Sequence, residues 1–258
     1  MSTIVSLDGL RDERYGRIIC YPKYAPRELE TRINEMKRMG VKALSFEGKR
    51  IIAEVPVLGK GYTGIVVLAI LRDGSKVALK IRRTDAEPER IVHEARMLQI
   101  ANSVNVGPRL LGYTENLLAM NYIEGLLFPE WVRKLDQGDD ALLSLRRVLK
   151  DLLEQCWRLD AVGLDHGELS RAERHIIVDV KNRAHLLDFE SASDRRRTAN
   201  LTSISQYLFI RSGIAGLILR KMRHAKAVEK EGFISALRFY KRSPSRENFE
   251  HILNVLGL

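Results

Sequence analysis

Two cysteines in 258 residues, Cys20 and Cys156, exclude a disulfide scaffold, and neither belongs to a C-x-x-C pair of the kind that holds zinc. No run of 18 apolar residues occurs, so a membrane span is not expected. The opening stretch "MSTIVSLDGLRDERYGR" lacks the apolar centre of a secretory signal, and the expected location is cytoplasmic. Internal repeats and long low-complexity linkers are absent. Aromatic residues make up only 7% and do not follow the spacing of an RNA-binding sheet.

What is present is a soluble-domain balance, 45% apolar and 29% charged, enough for one large domain or two modest lobes. The net charge of +10 points either to an RNA or ribonucleoprotein partner or to a solvated basic surface. Basic residues gather at Arg195 to Arg197, in "LRKMRHAKAVEK" over 219–230, and in "RFYKRSPSR".

Hydrophobic periodicity divides the chain. "APRELETRINEMKRMGV" reads as a helix with Pro26 in its first turn, Leu29, Ile33, Met36 and Met39 on one face, and Gly40 at its end. "KALSFEGKRIIAEVPVLGKG" reads as strand, turn at Glu47-Gly48, strand. Two β-rich runs flank Asp73-Gly74, a hairpin signal. A helical pattern follows Pro88, with Ile91, Ala95 and Leu98 on one side, and "NLLAMNYIEG" is a strand running into a turn. "DDALLSLRRVLKDLLEQCWRLDAVG" is the clearest amphipathic helix, closed by Gly163. "HIIV" and "HLLDF" form a small hairpin, and the remainder from Thr198 is helical, with Ser243-Pro244 starting the last helix. The expected fold class is α+β, two-lobed: an N-terminal extension over 1–50, a β-rich lobe over 51–120 and a reduced, mainly helical lobe over 121–258.

Gly59, Gly61 and Gly64 with Val66 spell G-x-G-x-x-G-x-V. Glycines let backbone N–H groups approach phosphate oxygens, because no Cβ stands in the way. A dinucleotide-binding version needs a helix after the loop, whereas a strand, "IVVLAIL", follows here. Lys80 ends "VALK" on the next strand, and Glu94 lies fourteen residues on within a predicted helix. A carboxylate there could hold the lysine against nucleotide phosphates. Farther along stand "LDHGEL" and "LLDFE".

In this order these segments resemble the eukaryotic-like protein kinase superfamily, most of all the small atypical kinases of the RIO and Bud32 type and their archaeal relatives. The resemblance spans Leu58 to about Ala192 and implies a kinase-like two-lobed fold, with ATP, Mg²⁺ or Mn²⁺, and a protein substrate as partners. It implies that Gly59, Lys60, Gly61, Gly64 and Val66 cover the ATP phosphates. Ala78 and Met120 would line the adenine pocket, with Asn121 and Ile123 reading the adenine edge through their backbones. Lys80 would bind phosphate and pair with Glu94, and Asp188 would hold the metal. Glu168 stands where the superfamily has its catalytic aspartate. Its extra methylene shifts the carboxylate by about 1.5 Å, which predicts slow transfer. The second metal-ligand position falls on Glu173 by counting or on His175 by strand register, the latter preferred. Glu190 replaces a flexible glycine, Gly167 an arginine that reads activation-loop phosphate, and no A-P-E follows. His166 reads as a structural hydrogen-bonding residue beneath the loop. His93, His185, His224 and His251 show no ligand spacing. Three activities fit: a serine/threonine protein kinase able to autophosphorylate, a pseudokinase or ATPase-like module of a tRNA- or ribosome-associated assembly, and, ranked last, a small-molecule kinase of the aminoglycoside-phosphotransferase kind.

Overall fold

A computed structural model describes residues 2–222 and 230–258. Most of the basic run at 219–230, with His224, lies outside the described residues. The protein is mixed α+β, about 47% helix and 22% strand, sheet-rich toward its N-terminus and helical toward its C-terminus. It divides into two compact units: one reaches from the N-terminus to Gln99 and includes Pro108–Ile123, and the other comprises Ile100–Gly107 with Glu124–Leu258.

The first unit runs β1 (Thr3–Ser6), α1 (Glu13–Ile19), α2 (Pro26–Arg38), β2 (Val41–Phe46), β3 (Arg50–Ile52), β4 (Val55–Val57), β5 (Gly59–Lys60), β6 (Gly64–Leu71) and β7 (Lys76–Arg82). After α3 (Glu89–Ser103), β8 (Leu110–Tyr113) and β9 (Leu117–Asn121) complete it. Its antiparallel sheet has the order β1-β2-β6-β7-β9-β8, with β5 also paired to β6. Side chains alternate along β7, so Val77, Leu79 and Ile81 face one way and Ala78, Lys80 and Arg82 the other. The first set joins Leu29, Ile33 and Met36 of α2 in one buried core with Val67 and Leu117. Each such side chain contributes about 1.5–3 kcal/mol on burial. Residues outside the motif region thus cover one face of the sheet.

The strand expected after Gly48 is interrupted. β3 and β4 form their own two-stranded ribbon, turning at Ala53 and Glu54, both with positive φ. The N-terminal stretch supplies β1, paired antiparallel to β2 with Thr3 opposite Phe46, which the sequence did not signal.

The second unit contains β10 (Gly125–Leu127), α4 (Phe128–Lys134), α5 (Asp139–Ala161), β11 (Ile176–Asp179) and β12 (Ala184–Leu186). Then come α6 (Asn200–Gln206), a π-helical turn at Tyr207–Arg211, α7 (Gly213–Lys221), α8 (Lys230–Arg242) and α9 (Arg246–Leu256). Leu145, Val148, Leu149, Leu152, Cys156 and Leu159 form the buried stripe of α5. Ser245, rather than Ser243, caps α9, its hydroxyl accepting from the Asn248 N–H at 3.1 Å. The small sheet β10-β11-β12 carries the loops that hold Glu168 and Asp188.

Candidate functional site

In the first unit the glycine loop is a tight turn between β5 and β6, closed by the Gly61 N–H donating to the Gly64 carbonyl at 2.8 Å. Gly59 pairs with Val66, Val66 with Lys80, and Ala78 with Met120. One sheet face therefore collects Val66, Ala78, Lys80 and Met120. The three glycines are not equivalent. A Cβ at Gly64 would lie 2.9 Å from both the Lys80 Cγ and the Ile81 carbonyl oxygen, whereas one at Gly59 would meet nothing nearer than 3.7 Å. Gly64 is the position that lets the Lys80 side chain pass.

The Lys80 Nζ lies 2.6 Å from the Glu94 carboxylate of α3, and both side chains are 4% exposed. Lys60 turns elsewhere: its Nζ donates to the Tyr21 hydroxyl at 2.6 Å and stands over that ring. Met120 is half-buried at the end of β9, the Asn121 N–H donates to the Arg109 carbonyl at 2.9 Å, and Ile123 follows just past the strand.

Behind Lys80 runs a polar network invisible in the motif reading. Arg32, fully buried, donates to the carbonyls of Ile19 and Arg82, each at 2.5 Å, and its Nε donates to Glu28 at 2.9 Å. Arg82 in turn donates to the Asn116 side chain at 2.7 Å. The Asn116 amide donates to Glu35 at 2.9 Å, and Thr114 donates to the same carboxylate at 2.6 Å. α2 thereby anchors the end of the strand that bears Lys80.

In the second unit, Glu168 has a close neighbour at each carboxylate oxygen. The Ser191 hydroxyl donates to Oε1 at 2.5 Å, and His175 Nε2 lies 2.9 Å from Oε2. The other nitrogen of His175, Nδ1, lies 3.8 Å from Asp188 Oδ2; it is buried and makes no hydrogen bond among the described residues. His175, the position preferred on strand register, thus lies close to Asp188. The Glu173 charge bears instead on the phenol of Tyr207, whose pKa burial raises first and Glu173 next. The left-handed backbone falls at Asp188, with φ +66°, and not at Glu190, where the sequence pattern directed attention.

His166 lies beneath this loop, as expected for a structural residue. Its Nε2 meets the Leu187 carbonyl at 3.0 Å, and its backbone N–H donates to Asn200 Oδ1 at 2.8 Å. Burial, then the nearby His175, lowers its pKa, so the neutral ring donates from Nε2. The Asn200 amide donates to Asp160 Oδ1 at 2.8 Å, and the Tyr240 hydroxyl reaches Asp160 Oδ2 at 3.1 Å. Burial raises the Asp160 pKa against the N–H groups of Leu201 and Asn200 that bind its charged form. His185 on β12 meets Asp179 at the end of β11 at 3.1 Å. Sequence reasoning missed Ser191, Asn200 and Asp160. Only contacts spanning 23 to 80 positions mark them.

No protein-family model matches the chain. It is 32% identical over 99 residues to the uncharacterized protein MJ1211 of Methanocaldococcus jannaschii, a match covering 79% of that protein and 38% of this chain. It is also 31% identical over 171 residues to a probable LRR receptor-like serine/threonine-protein kinase of Arabidopsis thaliana. That match takes in 59% of this chain but spans only 27% of the plant protein.

Proposed function

This chain belongs to the same family as the M. jannaschii protein MJ1211, and we propose, on its site geometry, that it is an ATP-dependent protein kinase acting on serine or threonine hydroxyls. The partial match to a plant receptor-like kinase supports a kinase-like function. The observation that carries the reading is the buried Lys80–Glu94 pair, 2.6 Å apart. Burying two charges costs more in desolvation than an apolar pair of similar volume, so such a pair is poorly explained by stability alone. A cation fixed by a carboxylate at the end of an apolar strand beside a glycine turn suits the α- and β-phosphates of a nucleotide.

His175 and Asp188 fit a divalent ion. His175 Nε2 lies 2.9 Å from Glu168, and the buried Nδ1, 3.8 Å from the Asp188 carboxylate, would be the nitrogen to hold an ion. A carboxylate that fixes the tautomer of a ligating histidine is a recurrent support for metal sites. When bound, such an ion neutralises charge on phosphate oxygens. The protein's own part is to hold the nucleotide through Lys80 and to accept the proton of the attacking hydroxyl at Glu168.

Incubation with radiolabelled ATP tests this reading. Lys80→Ala and Asp188→Asn are each expected to cut incorporation on the order of 10²–10³-fold. Asparagine tolerates the left-handed backbone at 188, so that variant separates chemistry from folding. Equal labelling of wild type and both variants overturns the proposal. A second reading, a nucleotide-binding module that does not modify proteins, draws on Glu168, whose two oxygens are already engaged by Ser191 and His175. ATP binding with no transfer, together with salt-sensitive RNA association, favours it.

A further inference from the structure

The hydroxyl of Ser191 makes the contact with Glu168 that a phosphate acceptor would make. At 2.5 Å it lies at the short end of hydroxyl–carboxylate hydrogen bonds, with the proton directed at Oε1. This is a constructed contact, not a chance surface one. The segment after Asp188 is zipped onto the Glu168 loop: the Asp165 N–H donates to the Ser193 carbonyl at 2.9 Å, and the Ser193 N–H returns to the Asp165 carbonyl at 2.8 Å. Arg196 clamps the two strands together, its Nε on Asp165 Oδ2 at 2.7 Å and its Nη2 on the Ser191 carbonyl at 2.9 Å. Gly167 makes room for them. Its φ is +89°, and a Cβ there would stand 2.8 Å from the Ser191 carbonyl oxygen. The Glu168 side chain stays 44% exposed, open to an incoming triphosphate.

We propose that Ser191 is a self-phosphorylation site, the acceptor hydroxyl that Glu168 serves within its own chain. The inference rests on the kinase reading above. Ser191 Oγ attacks the γ-phosphorus of ATP, forming the Oγ–P bond. The bond from that phosphorus to the β,γ-bridging oxygen breaks, and its electron pair departs on ADP. The serine proton passes to Glu168 Oε1. The longer glutamate arm, ill-matched to an external hydroxyl, carries the carboxylate to this internal one. The product sets a phosphate of about −1.5 to −2 charge against Glu168, where repulsion ejects it and loosens the zipped segment.

Phosphatase-treated protein is incubated with ATP and either Mg²⁺ or Mn²⁺, in the presence of dephosphorylated casein, and modified peptides are located by mass spectrometry. The expected result is phosphate on Ser191, with an initial rate per molecule that does not change over a tenfold range of protein concentration. Ser191→Ala removes that label. Ser191→Thr, which keeps a hydroxyl, carries it as phosphothreonine and stands in should the alanine variant misfold. Hydrogen exchange supplies a readout apart from turnover: the amides of Asp165 and Ser193 exchange faster in the phosphorylated protein. Labelled casein with unmodified Ser191, or labelling of Ser191 whose rate per molecule rises with protein concentration, overturns the inference and leaves the kinase reading standing. Absence of label on both, with Lys80→Ala indistinguishable from wild type, overturns the two together.

Discussion

Gly59 and Gly64 look alike in the sequence, yet only one is constrained by the fold. Gly64→Ala forces a methyl against Lys80 and the Ile81 carbonyl and is expected to cost about 1–3 kcal/mol in urea denaturation. Gly59→Ala, with no neighbour inside 3.7 Å, should stay within about 0.5 kcal/mol of wild type. Equal effects would show that Gly64 does not gate the lysine. His175 invites a second test at this scale. An imidazole nitrogen favours transition metals over Mg²⁺, so ATP turnover with Mn²⁺ should exceed that with Mg²⁺. His175→Asn, an oxygen donor, should narrow or reverse the ratio. An unchanged ratio removes His175 from the metal site. The residue types at 64, 80, 94 and 188 were legible because their spacing matches known chemistry. The company kept by Glu168 was not, because Ser191 meets it only through the loop geometry that Gly167 permits.

At the scale of elements, α2 and β7 are joined by Arg32, which packs without solvent exposure among two carbonyls and Glu28. Arg32→Met leaves those carbonyls and Glu28 without their buried partner. It is expected to destabilise by about 3–5 kcal/mol, measured by urea unfolding. A loss below about 1 kcal/mol would mean that the network does not anchor the strand. The β11–β12 turn has its own electrostatics. Burial acts to raise the Asp179 pKa, but the Arg183 N–H, His185, the Lys181 N–H and the Arg183 side chain together bring it down to about 2. A carboxylate held below its unfolded value near 3.8 adds stability above that value. The contribution is lost as pH falls from about 4 through about 2. Asp179→Asn should therefore flatten the acid limb of the stability curve while lowering stability at neutral pH, and an unaltered limb would contradict this. Helices α2, α3 and α5 were readable from their 3.6-residue stripes. The break into β3 and β4 was not, because Ala53 and Glu54 are unusual residues for positive φ and advertise no turn.

For the whole molecule, the net charge of +10 sets a long-range field independent of any motif. Retention on a heparin column is expected at low salt and should vanish as the Debye length shrinks below about 8 Å. Retention that persists in high salt would indicate a specific polyanion site rather than diffuse attraction. The amino-acid sequence by itself determined the fold class and the main helices, and it nominated the residues proposed to grip a phosphate, because periodicity and glycine spacing are local properties. Tertiary structure alone decided that the expected Lys80–Glu94 pair is buried, that α2 braces the lysine strand, and that Ser191 meets Glu168. These are meetings of residues 14 to 50 positions apart. Hydrogen-bond range is about 3 Å, and nothing in a linear pattern fixes separations that small once the chain has turned several times.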